Sequence, residues 1–292
     1  MMIFKGDQFA EEKAKILEKK VIQLKKKGIT PKLASILIGN NPQSQLYLAL
    51  KGKRARQLGI DFELVSFKNN EDSDLIREKI KQLNSDSSIQ GILVQLPLPE
   101  RYLENKEEIL STIDPEKDVD CLTPTNLGFL LMGDPRIIPA TPKAVMQILC
   151  LALNKRLEEK KWLAGEDVCV VGASNLVGKP VAMILSNLGA TVTICRSTTT
   201  KKRLGEATRK AKILVSAVGK PGLITKQMVK PGAVVIDVGI TNLAQPYGKT
   251  KILGDVDQEV AEITSFFTPV PGGVGPVTVI CLMENLIEKI GL

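Results

Sequence analysis

The apolar run Val168-Cys169-Val170-Val171 opens onto Gly172-Ala173-Ser174-Asn175-Leu176-Val177-Gly178 and then Lys179-Pro180: a buried strand, a tight turn and a helix start. A junction of this kind commits its region to an α/β sheet with helices on both faces. The glycines let the backbone come close to a pyrophosphate, and the N–H groups of the first helical turn face its charge. A nucleotide cofactor held by Gly172, Ala173, Ser174, Asn175, Val177 and Gly178 is therefore one reading. The spacing is G-x-S-x-x-x-G rather than G-x-G-x-x-G, so an ordinary strand-to-helix turn is the other. Because the junction lies past the middle of the chain, a further domain precedes it.

That preceding region repeats the alternation. Residues 7 to 27 read as an amphipathic helix stopped by Gly28 and Pro31, 33 to 39 as a strand, 43 to 58 as a helix, 61 to 67 as a strand and 72 to 84 as a helix. Residues 91 to 97 read as a buried strand ended by proline. A polar stretch from 114 to 126 and a helix near 142 to 155 follow, and the charged segment Lys155 to Lys161 reads as a linker edge. Strands at 168 to 171, 191 to 195, 212 to 216 and 233 to 238, with helices between them, give the order of a doubly wound nucleotide-binding domain. Residues 277 to 290 form a last helix whose packing partner periodicity does not decide.

Composition narrows the chemistry. The 292 residues, 43% hydrophobic and 25% charged, suffice for two buried cores, and no apolar run is long enough to span a bilayer, so a cytoplasmic protein without membrane contact is expected. Five cysteines without a C-x-x-C pair read as core thiols. The net charge of +8 comes with only 4% aromatic residues, which fits small acidic ligands better than nucleic acid. There is no histidine, which excludes a Ser-His-Asp triad, a His-ligated metal and an imidazole base; no metal centre is expected. Proton transfer near neutral pH falls to lysine, tyrosine, carboxylate, thiol or water.

Several side chains are placed for such work. Tyr47 and Lys51 stand four apart and share a helix face, and a lysine in a dry cleft exchanges protons near neutrality; a surface lysine beside a half-buried tyrosine has the same spacing. Gln95 stands at the carboxyl end of a strand, either orienting a catalytic group or capping the strand. Asp114 and Asp118 suit turn chemistry, whereas Asp120, between Val119 and Cys121, is suited to accept from a ligand's N–H groups. Thr268 to Thr278 holds three prolines and three glycines, a rigid loop that either approaches a ligand or connects domains. After the strand at 191 to 195 comes Arg196-Ser197, with Lys201, Lys202 and Arg203 beyond and no carboxylate for a ribose hydroxyl, a set that favours NADP over NAD.

Taken in order, YLALK, GILVQLPLP, DPEKDVD, VVGASNLVGKP, KPGAVVIDVGI and TPVPGGVGPVT resemble the bifunctional methylenetetrahydrofolate dehydrogenase/methenyltetrahydrofolate cyclohydrolase family. The resemblance implies two α/β domains around a cleft: a folate-binding domain over 1–140 with the C-terminal helix 275–292, and a Rossmann-type NADP domain over 141–274. It also implies a homodimer and two reactions on tetrahydrofolate one-carbon derivatives: NADP-dependent oxidation of the methylene form, then hydrolysis of the methenyl product to 10-formyltetrahydrofolate. By motif matching Lys51 resembles the catalytic lysine, Gln95 its tuning partner, Tyr47 the aromatic that stacks on folate and Asp120 the carboxylate that holds the pterin. Pro271, Gly272 and Gly273 fall to the substrate site, and Gly239, Ile240, Arg196 and Ser197 to the cofactor site. Ala173 and Arg196 depart from the arginine and histidine common there, as does Cys121 from glycine. A dehydrogenase without hydrolase activity and a non-enzymatic nucleotide-binding module are the competing expectations.

Overall fold

The computed structural model describes residues 1–156, 158–244 and 250–291. Strand β1 (Met2–Ile3) and helix α1 (Gly6–Lys26) open the chain, followed by β2 (Lys32–Ile38), α2 (Pro42–Gln57), β3 (Asp61–Phe67), α3 (Ser73–Ser85), β4 (Gly91–Val94), α4 (Lys106–Ser111), α5 (Pro124–Leu131) and α6 (Ala140–Leu153). Beyond them come β5 (Asp167–Val171), α7 (Gly178–Asn187), β6 (Thr191–Cys195), α8 (Lys201–Lys210), β7 (Ile213–Ser216), β8 (Val234–Asp237), β9 (Thr241–Ala244), β10 (Thr250–Leu253), β11 (Phe266–Phe267) and α9 (Val274–Gly291). The chain divides into two compact units, one of Met1–Ala10 with Thr141–Thr278 and one of Glu11–Ala140 with Val279–Leu292.

In the second of these units β3, β2 and β4 form a parallel sheet with β2 in the middle. Strand β2 is apolar on both faces and buried along its length except at Lys32, as a central parallel strand requires. Helix α3 turns Ile76, Ile80 and Leu83 inward, one stripe at helical spacing. The last helix belongs here too: Asn285 Nδ2 donates to the carbonyls of Val119 and Ile138 at 2.9 and 2.8 Å, and Gly91 is glycine because a Cβ would run into Val119 and Leu286.

In the other unit six strands run in the order β1-β11-β8-β7-β5-β6, paired parallel throughout. The chain passes from β5 to β6 on one side and then to β7 on the other, so β5 and β7 border the point where strand order reverses. Residues Met1–Ala10, grouped in the sequence reading with the first domain, cluster in this unit because β1 pairs with β11. The charged stretch at 155–161, read as a linker edge, also lies inside it, with Leu157 outside the described residues.

Most elements fall within two residues of the sequence reading. Exceptions are β4, which ends three residues early, α9, which starts three residues early, and α4, α5, the antiparallel pair β9–β10 and the two-residue strands β1 and β11, which were not anticipated. Helix α5 begins in the stretch read as polar loop: Pro124 occupies its first turn and the Thr123 hydroxyl accepts the Asn126 N–H. No helix among the described residues is long and apolar enough to cross a membrane.

Candidate active site

Helix α2 carries Tyr47 and Lys51. Asn41 caps it by accepting from the Gln43 and Ser44 N–H groups at 2.9 and 3.1 Å, and Pro42 sits in the first turn. Ser44, Leu48, Gly52 and Ala55 form its buried stripe, which leaves Tyr47 and Lys51 half-buried on the flank of that stripe. Lys51 Nζ donates to Gln95 Oε1 at 2.9 Å. Gln95, only 8% exposed, follows β4 directly; its Nε2 is tied to the Leu96 carbonyl at 2.7 Å and its backbone N–H continues the ladder to Ile36. The Gln95 amide thus presents its oxygen, and not its nitrogen, to the lysine. The Leu96–Pro97 peptide that follows is cis.

Crowding around Lys51 strips water from its ammonium and pushes its pKa below the usual lysine value, while the Asp120 charge opposes the fall. Desolvation in turn pushes Asp120 above the ordinary carboxylate range against the pull of Lys51 and of the Ala140 N–H, which donates to Oδ1 at 2.8 Å. Tyr47 is raised by desolvation as well. A lysine and a carboxylate shifted towards each other in a partly dry place form a proton-exchanging set.

Asp118, two residues before Asp120, does something different. Fully buried, it accepts from the Leu122 N–H (2.9 Å), the Thr123 N–H (2.9 Å), the Thr123 hydroxyl (2.8 Å) and Asn126 Nδ2 (2.9 Å). Its backbone bridges to Ile92 of β4, and Asp114 Oδ1 accepts the Glu116 N–H in the preceding turn. The turn-forming role expected of Asp114 and Asp118 is what the hydrogen bonds show, with Asp118 as the hub that shapes the Asp120–Thr123 turn. Cys121 in that turn has φ 53°, a left-handed conformation that glycine adopts without strain.

The remaining sequence-derived residues lie in the other unit. Gly172 has φ 118°, and a Cβ there would strike the Ala217 carbonyl; one on Gly178 would strike Gly172. The turn between β5 and α7 is therefore built for bare backbone, a cradle that side chains would fill. The Ser174 hydroxyl accepts from the Val177 and Gly178 N–H groups at 3.2 and 3.4 Å, Ala173 and Val177 are half-buried, and Asn175 is exposed with Oδ1 accepting from Lys179 Nζ at 2.7 Å. Arg196 and Ser197 are exposed at the end of β6, where the Arg196 N–H is bound by the Thr199 hydroxyl at 3.0 Å. Lys201, Lys202 and Arg203 open α8 close by in sequence and are exposed too, so the residues present fit an anionic group.

Gly239 is buried and Ile240 exposed beyond β8. Pro271, after a cis bond, is exposed, Gly272 has φ 90° and its carbonyl accepts the Gly6 N–H at 2.8 Å, and Gly273 is buried against Pro269. Tyr47, Lys51, Gln95 and Asp120 are thus brought into one unit, and Pro271 to Gly273 lie with the cofactor candidates. Among the described residues no group of three or more His, Cys, Asp or Glu side chains is arranged to hold a metal. None of the five cysteines is in a disulfide; four are buried and Cys150 is half-buried. Sequence reasoning passed over Asp237 and Asp255, both buried; burial pushes the Asp237 carboxyl up to about 7, with the Asp255 charge adding to the rise.

Comparison with known proteins covers both units. A family profile described as tetrahydrofolate dehydrogenase/cyclohydrolase, catalytic domain, matches residues 4–120, and one described as the NAD(P)-binding domain of the same proteins matches residues 139–291. The chain is 43% identical over 288 residues to the bifunctional protein FolD of Exiguobacterium sibiricum, covering 98% of each. Among solved structures, the bifunctional FolD dehydrogenase/cyclohydrolase of Campylobacter jejuni is similar with TM-score 0.90 and 40% identity, over 100% of this chain and 99% of that one. The Trypanosoma brucei enzyme, solved with NADP cofactor and inhibitor, is similar with TM-score 0.92 and 36% identity, over 99% and 97%.

Proposed function

The chain belongs to the tetrahydrofolate dehydrogenase/cyclohydrolase family, and we propose that it oxidises 5,10-methylenetetrahydrofolate with NADP⁺ and hydrolyses the methenyl product to 10-formyltetrahydrofolate. The observation that carries this reading is the hydrogen-bonded Lys51–Gln95 pair with Lys51 pushed down in pKa next to the Asp120 charge. Dehydrogenation needs placement more than acid–base chemistry, since a folate nitrogen lone pair expels the hydride. Hydrolysis does need a proton acceptor: water adds to the methenyl carbon, loses a proton, and the ring opens as nitrogen is reprotonated. Lys51 in its neutral form takes the proton and returns it, Gln95 holds the Nζ in line, Asp120 accepts from the pterin N–H groups, and Tyr47 offers a ring face to the folate.

NADP⁺, when bound, supplies the hydride acceptor. The Gly172–Gly178 turn would hold its pyrophosphate, Arg196 and Ser197 its 2′-phosphate, and Gly239 and Ile240 a further part of it. Pro271, Gly272 and Gly273 are assigned to the substrate by the family resemblance. A homodimer is in keeping with β6, an edge strand whose Thr193 and Ile194 are exposed; sedimentation as a monomer at micromolar concentration would remove it. A cytosolic location is in keeping with five cysteines that form no disulfide. Nucleic acid is not a partner in this reading, and a steep salt dependence of DNA or RNA binding would contradict it.

The test is to follow reduced nicotinamide and methenyl-folate separately after mixing the protein with 5,10-methylenetetrahydrofolate and NADP⁺ or NAD⁺. Reduced cofactor without methenyl accumulation is the expected result. Accumulation of methenyl-folate would remove the hydrolase assignment, and silence with both cofactors would remove the whole reading.

A further inference from the structure

Four segments beyond the ends of β7 and β8 converge on two buried carboxylates that no step above uses. Asp255 Oδ2 accepts from the Ser216 hydroxyl at 2.8 Å and the Val218 N–H at 2.7 Å, and its Oδ1 accepts from the Lys220 N–H at 2.7 Å. Asp237 Oδ1 accepts from the Gly239 and Asp255 N–H groups at 3.0 and 3.1 Å, and its Oδ2 from the Val256 N–H at 2.9 Å. The Asp237 N–H is itself bound by the Thr268 hydroxyl at 2.7 Å. Both carboxylates lie flat against glycine: a Cβ on Gly239 would overlap the Asp255 carboxylate, and one on Gly254 that of Asp237. Buried carboxylates without a cation partner are expensive unless backbone donors saturate them, and here five of the six donors are backbone N–H groups. The arrangement fixes loop conformation, each of the four carboxylate oxygens accepting at least one hydrogen bond from the protein.

The position of these loops indicates what they are fixed for. With the pyrophosphate turn after β5 and the 2′-phosphate residues after β6, the adenosine half of a dinucleotide lies on the β6 side of β5. The nicotinamide half then extends over the ends of β7 and β8, where Val218–Lys220 and Gly239–Ile240 stand. We propose that Asp255, crossed with Asp237, is a positioning residue for the dehydrogenase reaction: it locks the Val218–Lys220 and Gly239–Ile240 loops into one conformation that receives the nicotinamide. The inference rests on the assignment of Gly239 and Ile240 to the cofactor site.

Asp255→Asn tests it, because the amide turns a donor towards the Val218 or Lys220 N–H and breaks half of the brace. Three readouts are taken: hydrogen exchange of the Val218, Lys220 and Gly239 amides in the cofactor-free protein, NADP⁺ affinity by titration, and hydrolysis of methenyl-folate supplied directly, which uses no nicotinamide. The proposal expects faster exchange at these amides, about tenfold weaker NADP⁺ binding and retained hydrolysis. Unchanged exchange overturns the brace. Faster exchange with unchanged NADP⁺ affinity leaves the brace standing and overturns its service to the cofactor, together with the assignment of Gly239 and Ile240. Should Asp255→Asn fail to fold, Ser216→Ala removes a single donor; the same selective pattern at smaller size supports the proposal, and equal loss of both activities overturns it.

Discussion

The two units solve the same problem with opposite materials. In the proposed reading the groups around Lys51 that would meet a substrate are side chains, and backbone geometry serves only to aim them. Around Gly172 and Gly239 the groups that would meet a cofactor are largely backbone, and side chains such as Ser174, Asp237 and Asp255 shape it. Each unit nevertheless pairs a saturated carboxylate with an open site: Asp118 with four donors beside Asp120 with one, and Asp255 with three beside the dinucleotide turn. The lesson is that a carboxylate's hydrogen-bond count separates structure from chemistry better than its burial does.

The sharpest way to break this comparison is Lys51→Met. Methenyl-folate hydrolysis should fall by roughly a hundredfold to ten-thousandfold with NADP⁺ affinity untouched; hydrolysis at the wild-type rate would remove Lys51 from the chemistry. Next in size is Asp118→Ala, which strands four donors and should lower unfolding free energy by about 3 kcal/mol or more in a urea titration. A change below about 0.5 kcal/mol would mean the hub holds nothing. Arg196→Ala should weaken NADP⁺ binding about tenfold and leave NAD⁺ binding unchanged, and comparable efficiency with both cofactors in the parent enzyme would refute the phosphate contact. The smallest effect is a pH shift. Lys51 must be neutral to accept a proton, so hydrolysis rises with pH through its pKa; Asp120 holds that pKa up against desolvation. Asp120→Asn should therefore move the acid limb of the kcat profile to lower pH, and a limb that stays or moves upward would show that the Asp120 charge does not act on Lys51.

How much was legible in the chain follows the same division. The shared face of Tyr47 and Lys51 was readable because a helix writes its faces at a spacing of four, and the place of Gln95 because a proline marks where its strand ends; their roles came only from the family resemblance. The G-x-S-x-x-x-G turn was readable as backbone chemistry, since only glycine tolerates the contact of Gly172 with Ala217. Asp237 and Asp255 were not, because they bind mostly backbone N–H groups, which carry no residue-specific signal, across as many as 37 residues of sequence. Helix α5 was hidden by the polar run through which it starts, and β1 and β11, at two residues each, are too short for any alternation to register.

The pairing of β1 with β11 bears on how the protein is born. Strand β1 precedes the Glu11–Ala140 stretch, yet the segment it adds to is synthesised only after the whole of that stretch and most of the six-stranded sheet. The unit that contains β1 is consequently completed only once β11 has been made. A nascent chain released short of Phe266 would leave β8 as a bare sheet edge, apolar over Val234–Ile236 and open to pairing with another chain. Premature termination in this gene would then yield aggregate rather than a half-active fragment.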